Sequence, residues 1–174
     1  MTERTPVQRA IHRTDYGNLP RHSLIVCAAL VQNPGNLGRL CRTAEVFRLE
    51  ALVLADLAIT ETSAFRNSAA SAHHWQPLQE CPLDALPNWL NQQQQTGYTL
   101  VALDANPAAI PLSQFIFPQQ TVLLLGQELT GISSDLLNQA NACVTIPQFG
   151  LVESLNVQTA GSIAIYEYMR QHAF

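Results

Sequence analysis

Apolar residues recur along this chain in short continuous runs separated by segments of helical periodicity. Residues 23–31 (SLIVCAALV) form an apolar run of strand length, and the turn Asn33-Pro34-Gly35-Asn36 follows it. Asn36 is placed to cap the next helix, where Leu37, Leu40, Cys41, Ala44 and Phe47 fall on one stripe while Arg39 and Arg42 share another face. Residues 51–55 (ALVLA) predict a second strand. The small-residue stretch 63–74 predicts a short helix, and 82–95 a polar helix ending in a glutamine run read as low-complexity surface. Strands are predicted at 98–103, 121–125 and 143–146, with a Pro-punctuated loop through Pro118 and a short helix at 134–140. The last helix is predicted from Ser154, as its N-cap, to about His172. Val157, Ala160, Gly161, Ala164, Ile165 and Tyr168 line one face, and Ala160 and Gly161 allow close approach of another helix. Unbroken apolar strands alternating with helices predict an α/β domain with a mostly parallel sheet covered on both faces. No internal repeat or linker interrupts it.

A length of 174 residues is enough for one domain with a substantial core. Hydrophobic residues at 47% and charged residues at 13% exclude a disordered chain, and so little charge suggests that a partner subunit covers some apolar surface. Met1 to Pro20 is polar and Arg-bearing, with no signal-like apolar core, and no run is long enough to span a bilayer. Cys27, Cys41, Cys81 and Cys143 form no CxxC pair. Three of them (Cys27, Cys41 and Cys143) lie in apolar segments, which predicts buried reduced thiols and a cytoplasmic protein.

The net charge of −4 is unevenly spread. All nine basic residues are arginines, and Arg4, Arg9, Arg13, Arg21, Arg39, Arg42 and Arg48 fall within the first 48 positions. Seven arginines against Glu3, Asp15 and Glu45 make that part +4 and the remainder −8. An arginine-rich arm on an acidic body suits phosphate binding, and suits a solvated N-terminus equally well.

Several chemistries fail on spacing. No GxxxxGK loop ending in Ser or Thr, no GxGxxG after the first strand and no GxSxG elbow is present. His73-His74 has no Cys or carboxylate at metal-ligand spacing, so surface or helix-end histidines are expected and no metal is assigned.

Three segments carry residue choices that are unusual for structure alone. NPGNLGRLCRTA sets Asn36 and Arg42 at opposite ends of two helical turns. LGQELTG puts Glu128 in a glycine-bounded loop at the carboxyl end of a strand, where open α/β sheets bind ligands. IPQFGLVESLNV feeds Ser154 and Asn156 into a helix N-terminus, which attracts anions. Singly, each reads more readily as a cap, a turn or a surface charge.

In this order the three segments resemble the motifs of the SpoU/TrmH branch of the SPOUT methyltransferases, with IPQFGLVESLNVQ the most specific match. The resemblance covers about residues 23–171. Within the branch, LCRTAEVF, FPQQTVLLLGQE and SIAIYEYMRQ are most similar to the C-terminal domain of the TAR-RNA-binding-protein type of tRNA (guanosine-18) methyltransferases. It implies residues 23–174 as the methyltransferase domain, behind an Arg-bearing extension at 1–22, with a C-terminal trefoil knot of a kind periodicity never suggests.

The implied reaction is 2′-O-methylation of an RNA ribose. S-adenosyl-L-methionine is the donor, S-adenosyl-L-homocysteine the product, and no metal takes part. The matching cofactor positions are Leu103, Gly126, Ile146 and Leu155. Arg42, Asn36, Glu128, Ser154 and Asn156 match the catalytic positions, with Ser154 and Asn156 on substrate phosphate or ribose and bracing Arg42. tRNA is favoured, ribosomal RNA or the tRNA wobble nucleotide is the alternative, and a non-catalytic RNA-binding protein is a third reading. A homodimer is implied, with residues of both subunits near the site. RNA is then held by the dimeric domain and the arginine arm, since no large N-terminal RNA-binding domain is visible. Gln148, Gln158 and Glu153 depart from the family pattern, and Glu153 sets a negative charge beside Ser154.

Overall fold

A computed structural model describes residues 16–17, 19–152 and 154–173. The arginines at 4, 9 and 13 and the departure at Glu153 lie outside the described residues. Seven strands form one parallel sheet in the order β3-β2-β1-β6-β4-β7-β5. They are β1 (His22–Cys27), β2 (Leu49–Leu54), β3 (Leu78–Glu80), β4 (Thr99–Leu103), β5 (Ile110–Pro111), β6 (Thr121–Leu125) and β7 (Ala142–Thr145). The helices are α1 (Pro34–Val46), α2 (Ser63–Ala69), α3 (Leu86–Gln95), α4 (Ser134–Gln139) and α5 (Val157–His172).

The central strands β1, β4 and β6 are apolar from Leu24, Leu100 and Val122 onward because side chains alternate between two buried faces. Leu24, Val26, Leu123 and Leu125 join α1, α2 and α5 in one core layer, while Ile25, Cys27, Val122 and Leu124 join α3 and α4 in the other. The predicted parallel sheet with helices on both faces is therefore present.

Some boundaries differ from the expectation, for identifiable reasons. The first strand ends at Cys27, not residue 31; Ala28, Ala29 and Val31 are apolar because they are buried beyond the end of the strand. The cap of α1 is Asn33, whose Oδ1 accepts from the Asn36 amide at 3.1 Å, and not Asn36. Pro34 sets a helical φ and lacks the N–H that a first-turn residue would leave unpaired, so the helix starts earlier and Asn36 falls inside it. Likewise α5 is capped by Asn156, which accepts from Gln158 N at 2.9 Å and Thr159 N at 3.4 Å, and Ser154 lies outside the helix. The glutamine run is not only surface: Gln94 Nε2 donates to Gln139 O at 3.1 Å and Asn141 Oδ1 at 2.9 Å, tying α3 to the α4–β7 junction. All four cysteines are free, with Cys81 buried and Cys143 only partly so, the reverse of the expected order for that pair. His73 and His74 end a 3-10 turn, as expected of helix-end histidines.

Two helix contacts depend on missing side chains. A Cβ on Gly38 would lie 2.4 Å from Phe65 O, so α1 packs directly on the backbone of α2. On Gly161 it would meet Leu125 and Leu40 side chains at 3.0 Å, which lets α5 settle between β6 and α1. The far end of α5 grips the connection before β6: Tyr168 Oη donates to Gln119 O at 2.6 Å, and Gln171 bonds Phe115 O at 2.9 Å and Phe117 N at 2.8 Å.

Candidate active site

The carboxyl ends of β4, β6 and β7 are neighbours in the sheet, and the loops that leave them surround a cleft of about 590 Å³. Leu103 ends β4, Gly126 follows β6, and Ile146 follows β7; Leu155 reaches the cleft from the loop before α5. All four predicted cofactor positions thus line one space. Glu128, Ser154 and Asn156 line it too, and so does Gln148. Its size is typical of a small-molecule site.

Gly126 is required there. A Cβ would lie 2.9 Å from the carbonyl carbon of Gly131 and 3.0 Å from its Cα. Gln127 and Gly131 exchange backbone hydrogen bonds of 2.9 Å, closing the loop, and Gly131 sits at φ +68°, a conformation that favours glycine. Gln127 Oε1 fills the loop from inside, accepting from Leu129 N at 2.9 Å and Thr130 N at 2.6 Å.

Glu128 joins this loop to the first helix. Its carboxylate accepts from Gln32 N at 3.3 Å and from Asn33 N and Asn36 Nδ2 at 3.2 Å. Asn36 is only 5% exposed, and its Oδ1 accepts from Asn156 Nδ2 at 3.2 Å. One chain of bonds therefore links Glu128, Asn36 and Asn156 and fixes the mutual position of the three motif segments. Burial works against the charge on Glu128, but hydrogen bonds from its own amide, Asn36, Gln32 and Asn33 outweigh it and hold the carboxyl below its ordinary pKa.

A depressed carboxyl pKa contributes stability above the unfolded-state value and loses it as pH falls through the folded one. Glu128→Gln is therefore expected to melt below the parent at pH 7. The gap closes on acidification below the ordinary carboxylate range of about 4.3. Thermal melts from pH 7 to 3 measure this, and an offset independent of pH would show that the charge plays no part.

Ser154 has no hydrogen-bond partner among the described residues, so its hydroxyl is free to meet a ligand. The Asn156 side chain is directed to Asn36, and among the described residues no hydrogen bond joins it or Ser154 to Arg42. Arg42 itself does not line the cleft. It is exposed on α1 without a hydrogen-bond or ion-pair partner among the described residues, and it lines a separate cavity with Tyr16 and Trp75. Asp104 was missed by sequence reasoning; it follows β4 directly and lines the cleft. The rule that ligands gather beyond the carboxyl ends of strands would have found it.

Residues 23–166 match the model of the SpoU rRNA methylase family. The chain is 42% identical over 148 residues to the mouse tRNA (guanosine(18)-2'-O)-methyltransferase TARBP1, a match covering 85% of this chain and 9% of that protein. It is 35% identical over 153 residues to the tRNA (guanosine(18)-2'-O)-methyltransferase of Saccharomyces cerevisiae, covering 87% of this chain and 11% of that one. The chain thus spans about a tenth of the length of these relatives. Among solved structures, the Aquifex aeolicus TrmH/SpoU tRNA modifying enzyme superposes with a TM-score of 0.80 at 25% identity, over 91% of this chain and 80% of its own. An AdoMet-bound rRNA methyltransferase from Sinorhizobium meliloti shares the fold, with a TM-score of 0.77 at 23% identity over 91% of this chain and 61% of that one.

Proposed function

The chain belongs to the SpoU methylase family, and from that premise we propose that it transfers the methyl group of S-adenosyl-L-methionine to a ribose 2′-hydroxyl of RNA, with guanosine-18 of tRNA the favoured target. The observation that carries this reading is the convergence of Leu103, Gly126, Ile146 and Leu155 on one cleft whose rim holds Glu128, Ser154 and Asn156. Leu103, Leu125, Ile146 and Leu155 offer apolar walls for an adenine ring. Gly126 leaves main-chain groups accessible, and the Asp104 carboxylate suits a cationic ligand. When bound, the cofactor supplies a methyl group activated by sulfonium.

The protein has to align a sugar oxygen in line with that methyl and relieve it of its proton. A guanidinium keeps its own proton at a pKa above about 12, so Arg42 is assigned to orienting the hydroxyl and stabilising the developing alkoxide. A phosphate or water takes the proton. Ser154, without a hydrogen-bond partner among the described residues at the approach to α5, is assigned to substrate phosphate or ribose. Glu128, Asn36 and Asn156 act by holding the loops in register.

The reading places Arg42 at the site through a homodimer. Val46, Ile163 and Tyr166 are 69%, 40% and 54% exposed on α1 and α5. Those helices meet through Thr43 and Ser162 at 3.1 Å and through the rings of Phe47 and Tyr166, so the apolar residues and Arg42 belong to adjoining parts of one surface. A second copy over the α5 side of this surface covers Ile163 and Tyr166, leaves Val46 and the cavity beside it open, and brings Arg42 of one subunit to the cleft of the other. The grip of α5 on residues 115–119 supports the threaded, knotted chain that the family implies. No helix among the described residues is long and apolar enough to cross a membrane, in keeping with a cytoplasmic tRNA-modifying protein.

Calorimetric titration with S-adenosyl-L-methionine tests the cleft assignment. The expected result is saturable heat with one site per chain, and a folded protein giving no heat would contradict it.

A further inference from the structure

The cavity that Arg42 does line, about 400 Å³, is walled by Tyr16, Glu45, Val46, Ser71 and Trp75 and shares no lining residue with the cleft. We propose that it is a subsite for one nucleobase of the RNA substrate, stacked on Trp75 and flanked by the Arg42 guanidinium. The proposal rests on the RNA methyltransferase reading and names a contact by which that reading holds its substrate.

The aromatic wall is built and fixed. Trp75 is 40% exposed and meets Tyr16 edge-to-face at 5.7 Å. Its indole N–H has no partner among the described residues, so it remains available as a donor. Tyr16 is held by its hydroxyl, which donates to the Glu45 carboxylate, and by the guanidinium groups of Arg21 and Arg48 at 5.9 Å and 5.6 Å from its ring centre. Arg21 also fixes the backbone of Trp75, donating to its carbonyl at 2.7 Å.

The charge is that of an RNA site. Among the described residues Glu45 is the one acid on the wall, and Arg21 pairs with it at 3.3 Å. Arg42 stays uncompensated, and Arg39, one turn before it on α1, is likewise exposed and without an ion pair among the described residues. An electropositive rim around a π face is how single-stranded nucleic acid is held. The segment leading to Trp75 is strained: Ala70 and Ser71, neither of them glycine, line the cavity in succession at φ 47° and 69°. Such conformations gather at ligand clamps and switch regions.

Arg42 connects the cavity to the chemistry. A base is carried on the sugar carbon next to the 2′-hydroxyl. A ribose held at Arg42 therefore presents its own base, or its neighbour's, to the cavity that shares this residue.

The test uses Trp75 as its own probe. With Trp89→Phe the chain keeps a single tryptophan, Trp75. Its emission is expected to be quenched saturably by an unmodified tRNA transcript and, more weakly, by guanosine 5′-monophosphate. Trp75→Ala is expected to raise KM for tRNA about tenfold, the loss of one stacked base. The Kd for S-adenosyl-L-methionine should not change, and Trp75→Phe should restore most of the KM. Methyl transfer with an unchanged KM in Trp75→Ala would overturn the subsite and leave the proposed activity standing. Emission that responds to protein concentration and not to tRNA would assign the cavity to contact between copies and also overturn it. The quenching arm needs no cofactor. Quenching retained without any methyl transfer would therefore remove the activity and keep the base site.

Discussion

Arg42→Ala is expected to lower methyl transfer to tRNA by about 10²–10³-fold in kcat, the cost of removing one donor from a developing oxyanion. Neither the fold nor cofactor affinity should suffer. Arg42 is exposed, has no partner among the described residues and does not line the Gly126–Ile146–Leu155 cleft. Substitution of such a surface residue shifts stability by about 0.5 kcal/mol or less. The melting temperature and the calorimetric Kd for S-adenosyl-L-methionine should therefore match the parent while turnover collapses. Arg42→Lys sharpens the assignment, because it keeps the charge and discards the planar fork. A loss of at least about tenfold is expected from it. Near-parental transfer by the lysine variant would remove any role that needs the guanidinium.

Gly126→Ala should show the complementary pattern, with cofactor binding lost first. The added methyl would sit 2.9 Å from the carbonyl carbon of Gly131. That backbone cannot easily yield, being held by the reciprocal Gln127–Gly131 bonds and by a φ of +68° that favours glycine. The loop has to open, and Glu128, two residues on, then loses its reach to Gln32, Asn33 and Asn36. Overpacking of this kind costs about 1–3 kcal/mol. A lower melting temperature and at least a tenfold weaker Kd for S-adenosyl-L-methionine are expected. Parental affinity would mean that the loop does not form the cofactor wall.

The sheet was legible because strands buried on both faces read as nearly unbroken apolar runs; residues 121–125 were bounded correctly on that ground. Caps were less legible. Asn33 and Asn36 both suit an N-cap, as do Ser154 and Asn156, and propensity does not choose within either pair. Pro34 settles the first choice by starting the helix at its own position, and the bonds from Asn36 to Glu128 and Asn156 give that side chain other work. The edge strands β3 and β5, three and two residues long, are too short to carry a period. The convergence of Leu103, Gly126, Ile146, Leu155 and Glu128 on one cleft was legible through motif order, but the bonds made by Glu128 cross more than 90 positions of sequence and no local pattern encodes them. Periodicity put Arg42 on the polar face of its helix. It gave no means of knowing that this face borders Trp75 and Tyr16 and not the cleft.

The most direct measurement is transfer of tritiated methyl from S-adenosyl-L-methionine to an unmodified tRNA transcript, followed by complete digestion and nucleoside separation. The account predicts label in 2′-O-methylguanosine, mapping to position 18 and absent with Arg42→Ala. Label on a base, or none from a folded protein that binds the cofactor, would contradict it.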